Sequence, residues 1–239
     1  MWKGKKISVV LPAYNEEKNI RKAVNDFFST KVVDEVVVVN NNSKDKTLDE
    51  ARKTKAKVVT EMNQGYGWAN RRGLYEATGD YIFTCEPDGT FTPEDIFKFL
   101  AYAEEFDVIF GTRTSKSLIW SGANMGLFLR LGNTAVAKLL EYLHNGPCLT
   151  DVGCSFKFIK KDALHKIRKQ FTVGGSHFSP EFMILCLKNK LRCVEIPINY
   201  GQRIGESKIT GSFWKAWKLG WVMIFMIIGY RFGIKNRKI

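Results

Sequence analysis

The stretch Val9-Val10-Leu11-Pro12-Ala13-Tyr14-Asn15-Glu16 decides the fold of this chain. Its apolar, β-branched start predicts a short buried strand that ends at Pro12. Asn15 is predicted to cap a following helix, because Glu16 and Glu17 then fall in the first helical turn, where carboxylates are favourable. A buried strand that leads directly into a capped helix is the first unit of an α/β fold.

The same alternation continues through the first half of the chain. Short apolar segments predict strands at 7–11, 36–39, 58–60, 81–84 and 108–111. Ser43 is a predicted cap of a second helix, and residues 127–143 have the apolar spacing of a longer one. Strands that alternate with helices predict parallel strands joined by right-handed crossovers. We therefore expect a Rossmann-like, mainly parallel sheet flanked by helices.

Polar side chains follow the predicted strands at the points where the strands end. The clusters are Tyr14-Asn15-Glu16, Asn40-Asn41-Asn42-Ser43, Glu86-Pro87-Asp88 and Thr112-Arg113. In open α/β sheets, ligands bind outside the carboxyl ends of the strands, so these clusters predict one site. Glu86 and Asp88 can converge on one divalent cation after their strand. For this triplet alone, an acidic surface turn is the alternative.

The charge of the chain predicts an anionic partner. It has 239 residues, with 37 Lys and Arg against 24 Asp and Glu, for a net charge of +13. Nucleic acid, anionic lipid headgroups and phosphate-rich substrates all suit this excess. No nucleic-acid-binding motif is recognised and much of the excess lies at the termini, so we expect no nucleic acid partner. The chain runs from Met1 into its first strand without a leader-like segment, which predicts a cytosolic body.

The C-terminal segment, residues 211–239, differs from the preceding domain, residues 1–210. It contains FWKAWKLGWVMIFMIIGYRF at 213–232. The uncharged part, 219–230, is shorter than the roughly 20 apolar residues that a spanning helix needs. Its tryptophans and flanking basic residues predict a helix that lies in, or dips into, the cytoplasmic leaflet of a membrane. The alternative is a hydrophobic helix docked on the domain or at a subunit contact of a homo-oligomer.

Four linked motifs resemble family 2 glycosyltransferases in order and spacing. They are the opening stretch and the runs 38–47, 65–73 and 77–88, which together cover about the first 115 residues. The resemblance implies a GT-A fold, a nucleotide-sugar donor, and Mg²⁺ or Mn²⁺ held by Asp88 and Glu86. It implies these donor-binding residues: Pro12, Ala13, Tyr14, Glu16, Asn40, Asn41, Asn42, Ser43, Gly65, Gly67, Asn70 and Glu86. The two glycines are interpreted as a tight turn that lets the backbone approach the nucleotide.

The second half is similar to the polyprenyl-phosphate branch of this family, typified by dolichol-phosphate mannose synthase and dolichyl-phosphate glucosyltransferase. The matching segments are 111–113, 130–133, 150–157, 178–181 and 196–208. The resemblance implies an inverting transfer to a polyprenyl phosphate at the cytoplasmic face of a membrane. It implies that the acceptor phosphate is bound by Arg113, Arg130 and Arg203, with Lys208 in support. A phosphate is already ionised and needs no strong base, so Asp151 is expected to organise the acceptor site or bind sugar hydroxyls.

Two motifs depart from the family pattern. Asn40-Asn41-Asn42 stands where the family usually has Asp-Asp-Gly, and Glu86-Pro87-Asp88 stands where it has Asp-x-Asp. Asn41 can still accept a hydrogen bond from the base through its carbonyl oxygen, but it carries no charge. GDP-mannose, UDP-glucose and UDP-N-acetylglucosamine all remain open as donors. The departures also allow another interpretation, a non-catalytic, membrane-attached subunit that binds a nucleotide-sugar.

Overall fold

The structure, a computed structural model, describes residues 1–123, 126–205 and 213–233. Its strands are β1 (Ile7–Ala13), β2 (Glu35–Asn40), β3 (Lys57–Thr60), β4 (Tyr81–Thr84), β5 (Val108–Thr112), β6 (Lys157–Lys160) and β7 (Cys193–Pro197). Its helices are α1 (Ile20–Ser29), α2 (Thr47–Arg52), α3 (Tyr66–Glu76), α4 (Ile96–Tyr102), α5 (Leu127–His144), α6 (Lys161–Ile167), α7 (Phe178–Lys188) and α8 (Phe213–Phe232). The five predicted strands are all present, and β4 has the predicted bounds.

The described strands form one sheet in the order β3-β2-β1-β4-β6-β5-β7. Strand β1 pairs in parallel with β2 and β4, and β5 pairs in parallel with β7. Strand β6 is antiparallel to both of its neighbours, β4 and β5. After α5 the chain is back at the edge where β5 ends, since Asp151 bonds Arg113, and it enters β6 from that edge, so β6 runs against its neighbours. The predicted mainly parallel sheet is confirmed, with this one reversal.

Side chains alternate between the two faces of the sheet and build a core on each face. Val10, Val37 and Phe110 point to the face covered by α3, α5, α6, α7 and α8. Val9 and Val38 point to the opposite face, which α1, α2 and α4 cover. Because both faces are covered, β1, β4 and β5 are buried along their whole length, as the sequence runs indicated.

The predicted helix caps at Asn15 and Ser43 are wrong. Helix α1 begins only at Ile20, and α2 only at Thr47. Asn15 has a positive φ of 56°. Its backbone N–H donates to Ser43 Oγ over 3.1 Å, and its side-chain oxygen accepts from the backbone N–H of Lys44 over 2.9 Å. Short polar side chains bond loop amides as readily as helix ends. Here they tie together the loops that follow β1 and β2.

Helix α8 packs one face against the domain and leaves another face exposed. Met223, Met226 and Ile227 are buried in the core cluster shared with α5 and α7. Trp221 and Phe225 are 45% and 66% exposed. The alternative interpretation, a hydrophobic helix docked on the domain, therefore holds for one face of α8. Among the described residues, no helix has the length and apolar character that crossing a membrane requires.

Gly73 sets how closely α3 approaches the sheet, and this gives a stability prediction. A Cβ at Gly73 would overlap the Val10 side chain and lie 3.0 Å from Val39 Cγ2. We expect Gly73→Ala to lower the free energy of unfolding by about 1–3 kcal/mol, because the helix must move off the sheet. Gly132→Ala in α5 meets nothing within 4 Å, so it should stabilise by up to about 1 kcal/mol. Urea unfolding of both variants checks this, and equal stability of the two would contradict it.

Candidate active site

A large cleft opens at the carboxyl ends of the strands. Because β1 runs parallel to both β2 and β4, their ends meet at one edge of the sheet. The cleft has a volume of about 1090 Å³. The predicted site residues that line it are Pro12, Ala13, Tyr14, Glu16, Asn41, Gly65, Glu86, Arg113 and Arg203. Predicted donor-binding residues and predicted phosphate-binding arginines therefore line the same cavity.

Three carboxylates converge on one guanidinium at the floor of this cleft. Arg203 Nη1 lies 2.9 Å from Asp88 Oδ2 and 3.6 Å from Glu86 Oε2, and Arg203 Nη2 lies 3.3 Å from Glu16 Oε1. Glu86 and Asp88 follow β4, whereas Glu16 follows β1, so the adjacency of these strands brings them together. The single charge of Arg203 cannot balance all three carboxyl groups when they are ionised.

Burial raises the pKa values of two of these carboxyl groups. Burial and the neighbouring Asp88 carboxylate raise the pKa of Glu86 to about 8, although Arg203 opposes them. Burial also raises the pKa of Glu16, against the hydrogen bond from Asn19 and the charge of Arg203. A cation bound beside these groups would favour their ionised forms.

The residues present fit a divalent metal ion. Asp88 Oδ1 accepts from Thr90 N over 3.0 Å and from Thr90 Oγ1 over 2.6 Å. Asp88 Oδ2 is buried and makes no hydrogen bond within the described part of the chain, although Arg203 Nη1 lies 2.9 Å away as its ion-pair partner. This oxygen and the Glu86 carboxylate are hard ligands of the kind that Mg²⁺ and Mn²⁺ prefer. The described residues contain no group of three or more His, Cys, Asp or Glu side chains arranged around a metal position.

Asp151 holds Arg113 at the edge of the cleft. Arg113 Nε and Nη2 donate to the two carboxylate oxygens over 2.8 and 2.9 Å, and the Arg113 amide donates over 3.1 Å. Burial raises the pKa of Asp151, but the Arg113 charge and these hydrogen bonds outweigh it and leave that pKa below its usual range. Asp151 is 1% exposed, so its geometry favours organising the arginine over binding sugar hydroxyls.

Asn41 holds the loop that forms one wall of the cleft. Its side-chain nitrogen donates to the carbonyl oxygens of Glu61 and Asn63 over 3.1 and 2.8 Å. Its side-chain oxygen accepts from the Gly65 amide over 2.8 Å. The two carbonyl partners fix the amide orientation, so only the second lone pair of the oxygen is left for a ligand. Asn41 can therefore offer a ligand an acceptor but no donor.

The other residues of the asparagine run support this loop from outside the cleft lining. Asn40 accepts from the Ser43 amide over 3.3 Å. Asn42 has a positive φ of 55°, a conformation that glycine adopts freely and asparagine tolerates. The asparagine thus occupies the backbone position where the family usually has glycine.

Gly65 and Gly67 are glycines mainly for a packing reason. A Cβ at Gly65 would overlap the Gly174 carbonyl, and one at Gly67 would press on the Val173 carbonyl. The approach of this backbone to the nucleotide stays a prediction, and the close contact that the structure shows is with the segment before α7. Asn70 is buried within α3, where its side chain donates to the Tyr66 carbonyl over 2.8 Å.

One predicted phosphate ligand does not line the cleft, and another lies outside the described residues. Arg130 lies on α5, in the same turn as Phe128 and Leu129, but it is not part of the lining. Lys208 lies outside the described residues. Arg113 and Arg203 are therefore the predicted arginines that the described structure places in the cleft.

Sequence reasoning missed the apolar half of the cleft. Helix α5 contributes Phe128, Leu129, Gly132, Asn133, Ala135 and Val136, and helix α8 contributes Ala216, Trp217, Leu219, Gly220, Trp221, Met223 and Ile224. The helical spacing of the α5 residues was a usable signal. Which helix faces it across a cavity depends on tertiary packing, so no local pattern could reveal this trough.

The Arg113–Asp151 pair gives a test of the site's internal structure. We expect Asp151→Asn to lower the free energy of unfolding by about 3–5 kcal/mol at pH 7, because it leaves a buried guanidinium without its counter-charge. Asp49→Asn, on the exposed surface of α2, is the control and should have little effect. The depressed pKa means that the contribution of Asp151 is present above its unfolded pKa and is lost as the pH falls through the lower folded pKa. The two variants should therefore converge in stability at strongly acid pH in urea titrations; a constant gap would contradict the assignment.

Comparisons with known proteins identify the family of this chain. The Glycosyl transferase family 2 profile matches residues 8–168. The dolichyl-phosphate hexose transferase of Haloferax volcanii is 30% identical over 207 residues, or 85% of this chain and 86% of the relative. The UDP-N-acetylglucosamine–dolichyl-phosphate N-acetylglucosaminyltransferase of Methanococcus voltae is 30% identical over 217 residues, or 81% of this chain and 85% of the relative.

Solved structures show the same fold. Glucosyl-3-phosphoglycerate synthase from Mycobacterium tuberculosis, in complex with Mn²⁺, UDP and phosphoglyceric acid, matches with a TM-score of 0.70 at 22% identity over 98% of this chain and 80% of that chain. The same enzyme with Mg²⁺ and UDP matches with a TM-score of 0.70 at 21% identity over 98% of this chain and 81% of that chain. The predicted GT-A fold is confirmed. With the family profile covering most of the domain, the chain belongs to the family 2 glycosyltransferases.

Proposed function

We propose that this glycosyltransferase moves a sugar from a UDP- or GDP-sugar to a polyprenyl phosphate at the cytoplasmic face of a membrane. One observation carries the proposal. The cleft is continuous from a charged end, at Glu86, Arg113 and Arg203, to an apolar trough between α5 and α8. An acceptor with an anionic head and a hydrocarbon tail matches both ends. The names of the relatives from Haloferax volcanii and Methanococcus voltae support the same class of acceptor.

The donor is held at the ends of β1 and β2. Because Asn41 can offer only an acceptor, it suits a base that presents an N–H, such as uracil at N3 or guanine at N1. A divalent cation on Asp88 and Glu86 would neutralise the leaving diphosphate. Its charge would also restore the balance among the three carboxylates of this site.

The transfer itself needs no proton abstraction by the protein. An oxygen of the ionised acceptor phosphate attacks the anomeric carbon, and the bond from that carbon to the donor diphosphate breaks. One displacement inverts the configuration. Arg113, fixed by Asp151, binds the acceptor phosphate and offsets the repulsion between the two anions. Holding the phosphate in line supplies the orientation that this single step requires.

The exposed faces of α8 and α5 are proposed to lie on the membrane surface. Trp217, Trp221 and Phe225 of α8 are exposed, as are Leu127 and Leu131 of α5. Tryptophan favours the interface between headgroups and hydrocarbon. Lys218 and Arg231 lie at the two ends of the apolar part of α8 and suit anionic headgroups. The trough opens between these two helices, so a lipid tail can pass from the bilayer to Arg113.

A transfer assay tests the proposed reaction. The full chain in detergent is mixed with Mn²⁺ or Mg²⁺, a short polyprenyl phosphate and radiolabelled UDP- and GDP-sugars. We expect lipid-extractable label from one donor and loss of that label with a chelator. Asp88→Asn should lower the rate on the order of 100-fold or more, because it removes charge from the metal position. Asp49→Asn on α2 is the matched control.

Two outcomes of this assay would contradict the proposal. Full activity of Asp88→Asn would remove Asp88 from the metal site. Nucleotide binding without transfer to lipid from any donor would favour the non-catalytic subunit, or an acceptor other than a lipid phosphate.

Vesicle flotation tests the membrane surface separately. We expect the full chain to float with vesicles that contain anionic phosphatidylglycerol. The double variant Trp221→Ser/Phe225→Ser should lose most of this binding, because burial of two large aromatic side chains is removed. Tyr75→Ser removes an equally exposed aromatic from α3 and should float normally. Equal flotation of both variants would exclude this face of α8 as the membrane contact.

A further inference from the structure

Glu181 is a buried carboxylate that the proposed reaction does not use. It lies in the first turn of α7, is 0% exposed, and does not line the cleft. Oε1 accepts from Thr172 N over 2.8 Å, from Thr172 Oγ1 over 2.6 Å and from Tyr230 Oη over 2.8 Å, and Oε2 accepts from Val173 N over 3.0 Å. Tyr230 belongs to α8, and Thr172 and Val173 precede α7. One carboxylate therefore joins two helices and a loop, and its burial makes each donor important.

The loop that Glu181 holds is locked against the start of α3. Gly67 N donates to the Gly175 carbonyl over 3.2 Å, and Trp68 N donates to the Gly174 carbonyl over 3.1 Å. These are N–H groups of the first helical turn, which have no partner within the helix itself. A Cβ at Gly174 would overlap the Trp68 indole, so the two segments have no space between them. Movement of the loop must therefore move the first turn of α3.

The start of α3 in turn forms a wall of the donor end of the cleft. Gly65 and Tyr66 line the cleft beside Asn41. The Gly65 amide donates to the Asn41 side-chain oxygen over 2.8 Å. That oxygen is the atom assigned to the base of the donor. The position of this turn therefore affects the hydrogen-bond acceptor that Asn41 would offer to the base.

We propose that Glu181 is a positioning residue that couples the seating of α8 on the domain to the geometry of the donor pocket. The inference rests on the proposed nucleotide-sugar site. The path runs from Tyr230 through Glu181 to residues 172–175, then to residues 65–68 and Asn41. Loss of the Tyr230 hydroxyl removes one hydrogen-bond donor from the buried Glu181 carboxylate. This loosens residues 172–175 and then the first turn of α3. Seating of α8 thus prepares the pocket for the donor.

Tyr230→Phe in the full chain, in detergent, tests the coupling with two kinds of readout. We expect faster hydrogen–deuterium exchange at the amides of residues 171–176 and 65–68. We also expect about fivefold weaker binding of UDP or GDP in the presence of Mn²⁺, the effect of one hydrogen bond. In the transfer assay, the KM for the donor should rise by a similar factor while kcat changes little. Tyr142→Phe, on α5 and 81% exposed, is the control and should change none of these.

A second variant approaches the same carboxylate from the loop. Thr172→Val removes the Thr172 Oγ1 donor and its 3.4 Å contact with Tyr230 Oη, but keeps the hydrogen bond from Tyr230 to Glu181. We expect the same faster exchange at residues 65–68. Unchanged exchange at residues 65–68 in both variants would overturn the coupling, as would a change confined to α8. Exchange is measured without nucleotide. Failure of the wild-type chain to bind either nucleotide would therefore contradict the proposed function and not the coupling.

Discussion

Burying several carboxylates at one edge of the sheet is the constraint on which the rest of the site depends. Glu16, Glu86 and Asp88 would each be costly to bury alone. Arg203 offsets part of that cost, and the loop that carries it is fastened by an Ile204 amide that donates to the Asp88 carbonyl over 2.9 Å. Burial and the neighbouring Asp88 carboxylate raise the pKa of Glu86. The burial that disfavours ionised carboxylates here is thus the feature that would favour a bound cation.

A second set of hydrogen bonds fixes the Arg113 end of the cleft, the proposed acceptor site. Glu195 on β7 accepts from the amides of Thr150 and Asp151 over 2.8 and 3.1 Å. Asp151 accepts hydrogen bonds from the Arg113 side chain through both of its carboxylate oxygens. The position of the guanidinium is therefore fixed relative to β7 through Asp151 and Glu195. Positioning of this kind places charge before the reaction begins, and no rearrangement is needed during it. The proposed acceptor site is therefore built on strands β5 and β7, whereas the proposed donor site is built on β1, β2 and β4.

Helix α8 serves the fold and the cleft with different faces. Met226 and Ile227 complete the core, Met223 and Ile224 line the trough, and Phe225 is exposed. A helix that is apolar on all sides must find an apolar partner for each side. The domain supplies one partner and the cleft a second. A membrane surface would supply the third. Tyr230, near the end of α8, donates a hydrogen bond to Glu181, the residue proposed to position the donor pocket.

The sequence by itself determined β1 to β5 and the strand ends where the site lies, because apolar spacing and β-branched runs are local properties. It did not reveal β6, β7 or the antiparallel pairing of β6. It also named most of the polar cleft, since carboxyl ends of parallel strands gather whatever follows them. It could not decide what Asn15 and Ser43 would bond, because the same side chains suit a helix end or another loop. Only the tertiary structure paired Arg203 with Glu16, 187 residues apart, and Glu181 with Tyr230, 49 residues apart. Such pairs depend on how whole elements pack, and packing is settled by the fit of many side chains together, which no short segment encodes.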